Sequence, residues 1–491
     1  MTDLLADLSH KLDQQRAALK KADDYYEGDQ PIAYLADEVK DLVGERLADV
    51  VLNWPETVVD SLEQRLDVEG FRLGAATEAD DALWQDWQRN RMDEDSSPVH
   101  LESMLYGYTA VSVWADADDE TVPVISTETP HQVAFDYDPA TRRVRAALKR
   151  WVDGDAAFCN LYLPDRIVKR AAQATGGAFH APIGGWLVHG KDVDNPLGVP
   201  AMVPFRNRAR TGRLDGRSEL ASIYPIADVI NKLATDLMVT AEFHALPRRY
   251  MTNLMLASNE ADLSRLRAQV TQYVDALSKG RTMLGGKDVQ FGQLAAADLS
   301  NFVNAIRMFV GFLAAIGALP PHEVGITTEN PASADAIRSA ETLKVKRAER
   351  KQRSLGGSWE DVARMAAAVR LRKTVADLPP AYFAMETVWR DAATPTVAQS
   401  ADAAVKLVDA GLLDIEAGQE RIGLSPTQRS DIHKRRTKAE SQAATADIEA
   451  RMALARRLHS EDGLSLNAAL AAVGLLAAAA ANTDPATPGT S

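Results

Sequence analysis

Residues 298–317 read DLSNFVNAIRMFVGFLAAIG and carry the clearest helical pattern of the chain. The apolar residues recur at steps of three and four, the spacing of one face of an α-helix. They are Leu299, Phe302, Val303, Ile306, Phe309, Val310, Leu313 and Ile316. The pattern ends at Gly317, and the breaker Pro320-Pro321 follows. A helix of about 20 residues spans about 30 Å, so we interpret the segment as a strut rather than a pocket wall.

A second strut precedes the first along the chain. Its apolar residues also alternate by three and four, and they are Ile223, Ile226, Ile230, Leu233, Leu237 and Ala241. Pro247 should end this helix, while Pro225 either occupies its first turn or kinks it. Between the struts we predict a compact α/β insert, with a strand at 249–254, a helix at 261–278 and two short strands around Gly285-Gly286. A long basic helix follows the Pro-Pro loop.

The remaining segments predict a predominantly helical α+β protein. Residues 1–68 are expected to be helices, with one stripe of Leu4, Leu5, Leu8, Leu12 and Leu19, and another helix should run from a cap near Thr77 to a break near Pro98. Strands are predicted at 109–114, 122–126, 132–137, 144–152, 158–168 and 382–390. The α/β region is expected to close near Pro204. Residues 398–481 are predicted to be helical, with turns at Gly411, Gly423 and Gly463, and 482–491 to be a disordered tail.

The composition limits the possible functions. The 491 residues carry a formal charge of −14, which argues against a general nucleic-acid binder but suits a surface past which DNA slides. The single cysteine, Cys159, excludes an intrachain disulfide framework and is expected to be a small buried residue. The most apolar late segment, 464–481, is mostly alanine, so we predict a packed helix there and no membrane span.

The sequence contains no motif that predicts catalysis. Gly190-Lys191 and Gly286-Lys287 are each followed by Asp, so neither makes a phosphate-binding loop with its magnesium ligand. Asp136 and Asp138 fit a metal site less well than an Asx turn at the end of a strand. The histidines lack ligand spacing. We therefore predict no catalytic residue, no cofactor and no metal.

Charge is clustered along the chain. Acidic residues gather at 78–102 and 116–120, and basic residues at 142–150, at 206–217 and on the long basic helix. Each cluster suits a solvated surface, but opposite clusters could also meet between copies of the chain and close them into a ring. The basic helix is the main candidate for such inter-subunit contacts, with DNA contact as the alternative. Its basic residues are Arg338, Lys344, Lys346, Arg347, Arg350, Lys351 and Arg353.

Several motifs, in this order, resemble those of the portal proteins of tailed bacteriophages, in particular siphophage-type portals of phages that infect actinobacteria. They are YYEGDQP (25–31), VVDSLEQRL (58–66) with EGF (69–71), GRSEL (216–220) with DVINK (228–232), FHALPRRY (243–250), and VWRD (388–391) with ADA (401–403) and Lys406. The match covers nearly the whole chain. None of these motifs is catalytic, so the resemblance implies a channel rather than an enzyme.

The resemblance implies a regional anatomy. Residues 1–217 would form the wing, joined by 374–397; 218–246 and 298–318 the stem helices; 247–297 the clip; 319–333 the tunnel loop; and 398–481 the crown, with the long basic helix at 334–373. We expect the tunnel loop to face DNA through Pro320, Pro321, His322, Glu323, Thr327, Thr328, Glu329 and Asn330. The candidate motor-docking residues of the clip are Arg248, Arg249, Lys279, Arg281 and Lys287.

The resemblance also implies partners. We expect a homo-oligomeric ring of twelve copies, as in the family, at one vertex of the virion capsid, assembled in the host cytoplasm. It would contact the major capsid protein and scaffold, the large terminase, head-tail connector or adaptor proteins, and double-stranded DNA without sequence specificity. Two alternatives remain open at this point: a DNA-processing subunit of the terminase or nuclease type, and a monomeric helical scaffold or adaptor.

Overall fold

The computed structural model describes residues 2–31, 51–74, 76, 79–173, 185–245, 249–252, 290–293, 298–325, 334–393, 397–424 and 426–475, with scattered helical positions between 260 and 271. The chain forms two compact units. The larger contains residues 1–75 and 80–393, and the smaller contains 76–79 and 394–491. The contacts therefore group the predicted regions 1–217 and 218–373 into one unit.

The larger unit contains eight described α-helices. They are α1 (Thr2–Glu27), α2 (Trp54–Glu63), α3 (Asp81–Arg89), α4 (Met92–Tyr106), α5 (Tyr224–Ala245), α6 (Ser300–Gly317), α7 (Ala334–Leu371) and α8 (Pro380–Phe383). Short 3₁₀ turns lie at Glu219–Ser222 and Val375–Asp377. The predicted struts are α5 and α6, and the predicted basic helix is α7. Pro225 lies in the first turn of α5, where its missing N–H has no intrahelical partner to lose.

Thirteen strands are described in the larger unit. They are β1 (Val68–Arg72), β2 (Tyr108–Ala115), β3 (Pro123–Glu128), β4 (Val133–Tyr137), β5 (Val144–Asp153), β6 (Ala156–Tyr162), β7 (Arg166–Gln173), β8 (Leu187–Val188), β9 (Val193–Asp194), β10 (Met202–Arg206), β11 (Arg249–Thr252), β12 (Gln290–Gln293) and β13 (Glu386–Trp389). All described pairings are antiparallel. The sheets have the orders β10-β2-β3, β4-β5-β6-β7-β8 with β9 beside β7, β1-β13, and β11-β12.

The core forms where α7 crosses the sheet β10-β2-β3 and the pair β1-β13. At its centre the fully buried Trp359 has the rings of Trp87 and Phe205 at centroid distances of 4.8 and 4.5 Å. One turn earlier on α7, a Cβ at Gly356 would lie 3.0 Å from the indole nitrogen of Trp389. The small residue therefore lets β13 lie against α7. A separate cluster packs Leu5, Leu8 and Leu12 of α1 onto the sheet β4-β8.

Two helix boundaries predicted from the sequence are wrong. The N-cap of α3 is Asp80, whose carboxylate accepts a hydrogen bond of 2.9 Å from the backbone N–H of Leu83, rather than Thr77. The helical conformation is interrupted at Arg91, which adopts a left-handed conformation between α3 and α4. Pro98 lies inside α4. Proline removes one backbone donor, but α4 buries Met92, Val99 and Met104, and that packing overrides the local preference.

Two strand predictions need correction. The run 158–168 is two strands, β6 and β7, joined by a turn at Leu163-Pro164-Asp165. The Pro-Asp pair is the sequence signal that could have shown this turn. The run 382–390 begins as the end of α8 and becomes a strand only at Glu386. The strand at 249–254 is present as β11, and the predicted strands around 285–286 and most of the helix 261–278 lie outside the described residues.

The smaller unit is helical where it is described. Its helices are α9 (Val397–Asp409), α10 (Ile415–Arg421), α11 (Pro426–Ser460) and α12 (Leu466–Ala472). Gly411, Gly423 and Gly463 have φ values of 67°, 85° and 71°, so each predicted turn is confirmed at a left-handed glycine. The α12 helix has only 7 residues, too few to span a membrane. The predicted tail 482–491 lies outside the described residues.

Candidate functional site

The paired helices α5 and α6 form the most distinctive feature of the larger unit. The chain leaves the core along α5, pairs β11 with β12, and returns along α6, which packs against α5. Two hydrogen bonds fix the base of α5. The Tyr25 hydroxyl donates to Asp228 at 2.6 Å, and the Leu52 backbone N–H donates to the Asn231 side-chain oxygen at 2.9 Å. The first of these bonds joins two of the motifs on which the resemblance rests, YYEGDQP and DVINK.

The α6 helix has two apolar faces. Val310, Leu313, Ala314 and Gly317 are buried in the core, and a Cβ at Gly317 would lie 3.1 Å from Val58. At 100° per residue, Met308, Phe312 and Ile316 lie on the opposite side of the helix, where they are 51%, 51% and 42% exposed. A single copy of the chain therefore leaves one apolar face of α6 without a partner among the described residues.

The same apolar character gives α6 a membrane-like composition. Among the described residues it is the one helix long and apolar enough to cross a membrane on length and composition alone, with 22% of it buried. A helix with one face in a protein core and the other against a neighbouring molecule has the same composition. Gly311 of α6 has no atom within 4 Å of an added Cβ. Its open space belongs to the exposed surroundings of the helix.

The loop after α6 is fastened to α7 at its start. Ala318 ends α6 in a left-handed conformation, and Leu319, Pro320 and Val324 are buried. The Glu323 carboxylate accepts a hydrogen bond of 2.7 Å from the Lys344 ammonium. Of the predicted tunnel-loop residues, Pro321 and His322 are exposed and Glu323 is half-buried. Thr327, Thr328, Glu329 and Asn330 lie outside the described residues.

Three potential metal ligands meet beside this loop. Ligand atoms of His322, Glu323 and Glu341 lie within 4.8 Å of one another. Both carboxylates already face cations, since Lys344 contacts Glu323 at 2.7 Å and Arg65 lies 3.6 Å from Glu341. The local charge is therefore balanced by protein side chains, and we assign no metal to the cluster.

The basic residues of α7 divide into two groups. Lys344 and Lys351 are buried and form ion pairs within the chain, so the structure gives them a role that the sequence did not predict. Arg347 is half-buried. The exposed members of the predicted inter-subunit set are Arg338, Lys346, Arg350 and Arg353.

A buried polar network lies under the middle of α7. The Lys351 ammonium donates to the Glu219 carboxylate and to the Asn207 side-chain oxygen, and Arg208 lies 2.5 Å from the second oxygen of Glu219. Burial raises the pKa of the Glu219 carboxyl, but the charges of Lys351 and Arg208 outweigh it and hold that pKa below its usual value. The network ties GRSEL to α7, 132 residues away.

One glycine in that motif is required by the packing. Gly216 has a φ of 78°, and a Cβ there would lie 2.1 Å from the carbonyl oxygen of Gly107 and 2.6 Å from that of Asn207. No side chain fits such a space. The motif residues therefore hold the base of the struts to the sheet and to α7, which explains their presence without any catalytic role.

The aspartates and the cysteine considered as candidates for chemistry have structural roles. Asp138 accepts backbone hydrogen bonds from Ala140 and Thr141, which confirms the predicted Asx turn, and Asp136 pairs with Arg145 at 2.5 Å. Cys159 is buried, which confirms the prediction, and burial raises the pKa of its thiol to about 12.

One histidine, His100, is a structural residue of the core, as expected of histidines without ligand spacing. The Trp359 indole N–H donates to His100 Nε2 at 2.8 Å, and burial lowers the pKa of His100 to about 3. His100 is therefore a neutral member of the core. The sequence around His100 gives no sign of its partner, because Trp359 lies 259 residues further along the chain.

The clip residues can be placed only in part. The Arg249 backbone begins β11, which pairs residue by residue with β12. Arg248, Lys279, Arg281 and Lys287 lie outside the described residues. Their predicted role in motor docking stays a prediction.

The chain has recognisable relatives. Residues 5–442 match the family described as "Phage portal protein, SPP1 Gp6-like". The portal protein of Mycobacterium phage L5 is 32% identical over 399 residues, which cover 78% of each chain. That of Mycobacterium phage D29 is 31% identical over 438 residues, which cover 86% of each chain.

Solved structures with lower similarity come from gene transfer agent particles. A chain in the neck of an empty particle matches 80% of this chain and 95% of its own length, with a TM-score of 0.46 and 14% identity. A chain in the native virion matches the same shares with a TM-score of 0.42 and 13% identity. The family match and the two mycobacteriophage relatives together establish that this chain belongs to the phage portal protein family.

Proposed function

We propose that copies of this chain close into a ring, most simply of twelve, whose central hole is the channel for packaging and ejecting DNA at one capsid vertex. The observation that supports the ring best is the second apolar face of α6. Met308, Phe312 and Ile316 recur every four residues opposite the buried face, so they form a continuous stripe. Covering such a stripe with a different face of the neighbouring copy, in a head-to-tail contact, would remove apolar surface from water around the whole ring.

The family anatomy fits the described elements. We assign α5 and α6 to the stem, the β11–β12 pair to the clip, and residues 319–333 to the tunnel loop. The wing would contain residues 1–217 together with 374–397, an assignment supported by the pairing of β13 with β1. The helices of 398–481 would form the crown. In this arrangement, the charge of −14 favours passage of DNA over attachment to it.

The proposed partners follow from that position. The clip end would dock the large terminase during packaging and the connector proteins afterwards, while the wing would contact the capsid protein and scaffold. Assembly would take place in the host cytoplasm, and the ring would remain at the neck of the virion. We propose a structural role with no catalysis of its own, because the described Asp, Cys and His candidates all serve turns or packing.

The experiment compares Phe312→Asp with Phe383→Asp. The two phenylalanines are 51% and 52% exposed, but only Phe312 lies on the stripe. A buried, unpaired carboxylate at a subunit interface is strongly unfavourable, so Phe312→Asp should reduce ring formation at least tenfold while the monomer stays folded. Phe383→Asp should form rings like the unchanged protein. Equal ring yields from both variants would contradict the assignment of α6 to the interface.

A further inference from the structure

Two basic segments that are far apart in the sequence form one cleft. Residues 206–210, which follow β10, face the middle of α7 across a cleft of about 600 Å³. Its lining carries six cationic side chains and a single carboxylate. The lining residues are Arg206, Asn207, Arg208, Ala209, Arg210, Glu219, Arg347, Arg350, Lys351, Ser354 and Leu355.

The carboxylate in the cleft is already occupied. Glu219 pairs with both Lys351 and Arg208, and these are the cleft's ion pairs among the described residues. Arg206 lies over the Tyr137 ring and within electrostatic range of Asp361. Arg347 lies within electrostatic range of Glu219, but neither Arg347 nor Arg350 forms an ion pair with a described residue. Burial is the main cause that lowers the pKa of Arg347, and the charge of Arg208 adds to it, so the shared charge of Glu219 does not offset them.

A matching acidic segment lies elsewhere on the same unit. The β2–β3 turn carries Asp116, Asp118, Asp119 and Glu120, four carboxylates in five residues. Asp116 accepts hydrogen bonds from the backbone N–H groups of Asp118 and Asp119, so the turn has a defined shape. Its one described ion pair, between Glu120 and Arg372 at 3.6 Å, is 78% and 63% exposed and therefore weak.

The turn cannot reach the cleft of its own chain. Glu120 contacts Arg372, just beyond the end of α7, whereas Arg350 lies 22 residues earlier on that helix, about 33 Å away at 1.5 Å per residue. An acidic patch and a basic patch at different places on one surface suit a head-to-tail contact, in which each copy gives one patch and receives the other.

We propose that the basic cleft binds the acidic β2–β3 turn of a neighbouring copy of this chain. The inference rests on the proposed ring and names a polar contact within it, separate from the apolar stripe of α6. The size of the cleft suits carboxylate side chains on a turn, whereas a DNA duplex about 20 Å across would not enter it. The turn would place carboxylates opposite Arg347 and Arg350, where charge-assisted hydrogen bonds are strongest.

A mixed crosslinking experiment tests the contact without requiring closed rings. Asp118→Cys and Arg350→Cys are prepared separately, mixed and oxidised; the native Cys159 is buried and does not compete. The mixture should give a disulfide-linked dimer containing one chain of each variant, with the yield at least tenfold above that of either variant alone. A mixture of Asp118→Cys with Thr342→Cys, an exposed residue of α7 two turns before Arg350 and outside the cleft, is the matched control.

Charge reversal supplies the second test. Arg350→Glu and the double variant Asp118→Lys/Glu120→Lys should each reduce assembly about tenfold or more, and their combination should restore it at least in part. Two controls should assemble normally: Lys20→Glu at an exposed position of α1, and Asp153→Lys/Asp155→Lys on another exposed acidic turn. The double variant Asp118→Lys/Glu120→Lys leaves the hydrogen bonds accepted by Asp116 and Asp119 in place.

The outcomes separate this contact from the ring itself. Rings that form normally in all charge variants, with no mixed disulfide, would overturn the proposed contact and leave the ring intact. A mixed disulfide without any ring would support the contact and contradict the proposed function. If Arg350→Glu reduced DNA retention in particles while assembly and crosslinking were unaffected, the cleft would bind nucleic acid, and the proposal would be wrong.

Discussion

Replacing Lys351 by Met tests the buried network that joins GRSEL to α7. The Glu219 and Lys351 side chains are 2% and 9% exposed, so both charges lie out of water. Met retains most of the apolar length of the lysine but removes the ammonium, which leaves Glu219 with Arg208 at 2.5 Å as its remaining cation. Removing one partner of a buried pair typically costs about 3 to 5 kcal/mol. Because Arg208 remains, we expect about 3 kcal/mol here.

The assay is urea denaturation followed by tryptophan fluorescence. All eight tryptophans of the chain lie in the larger unit, so the signal reports the unfolding of that unit alone. Lys346→Met, at an exposed position of the same helix, is the control and should change the free energy of unfolding by less than about 0.5 kcal/mol. If Lys351→Met cost no more than Lys346→Met, the pair would contribute nothing to stability and the reasoning would fail.

A double-mutant cycle separates the pair from its surroundings. Glu219→Met alone leaves the buried Lys351 ammonium without its carboxylate, and it should reduce the free energy of unfolding about as much as Lys351→Met. The double variant removes both buried charges and returns Arg208 to solvent, so it should cost about 1.5 kcal/mol or less. The sum of the two single changes would then exceed the double change by several kcal/mol. Additive costs would contradict a direct interaction between the two side chains.

Three further predictions use the same fluorescence assay or a thiol reagent. Burial lowers the pKa of His100 from 6.5 to about 3, so the unfolded chain binds this proton at a higher pH than the folded chain does. The free energy of unfolding should therefore fall between pH 6.5 and 3, by about 3 kcal/mol at pH 4. His100→Gln should remove this contribution to the pH dependence of stability. Gly216→Ala would place a Cβ 2.1 Å from the Gly107 oxygen and should cost more than about 3 kcal/mol, whereas Gly154→Ala, also at positive φ but with open space, should cost about 1 kcal/mol; similar costs would refute the steric argument. With a pKa of about 12, Cys159 should react with a thiol reagent at pH 8 about a thousandfold more slowly than a free cysteine until urea unfolds the chain, and fast labelling of the folded protein would show that the site opens.

Periodic patterns predicted the helical framework well. The struts follow from an apolar stripe that repeats over five turns, and such a pattern has no strand interpretation. The long helix α7 continues through Gly356-Gly357, although glycine disfavours a helix interior, because Trp359 and the residues around it are buried in the core. Boundaries set by a single residue, such as the cap at Asp80, could not be chosen from several nearby acidic and polar candidates.

Pairing between distant residues could not be predicted from this one sequence. Lys344 and Lys351 lie on the face of α7 that also carries the buried Ala348 and Leu355, whereas Lys346 lies on another face, so the helical spacing gives a weak signal of their burial. The spacing gives no signal of the carboxylates that they meet. Their partners, Glu219 and Glu323, are placed by the crossing of α7 over the sheet and by the loop after α6. The family resemblance identifies the motif GRSEL but does not give its physical role. The structure supplies that role through Glu219 and Gly216.

The most direct test of the proposed channel is the mass of the purified chain in solution, measured particle by particle and followed by imaging of the assembled fraction. Twelve copies of 53.3 kDa give about 0.64 MDa, and the images should show closed rings with an axial hole. A single species of about 53 kDa under all assembly conditions, or open chains of copies that never close, would contradict the account.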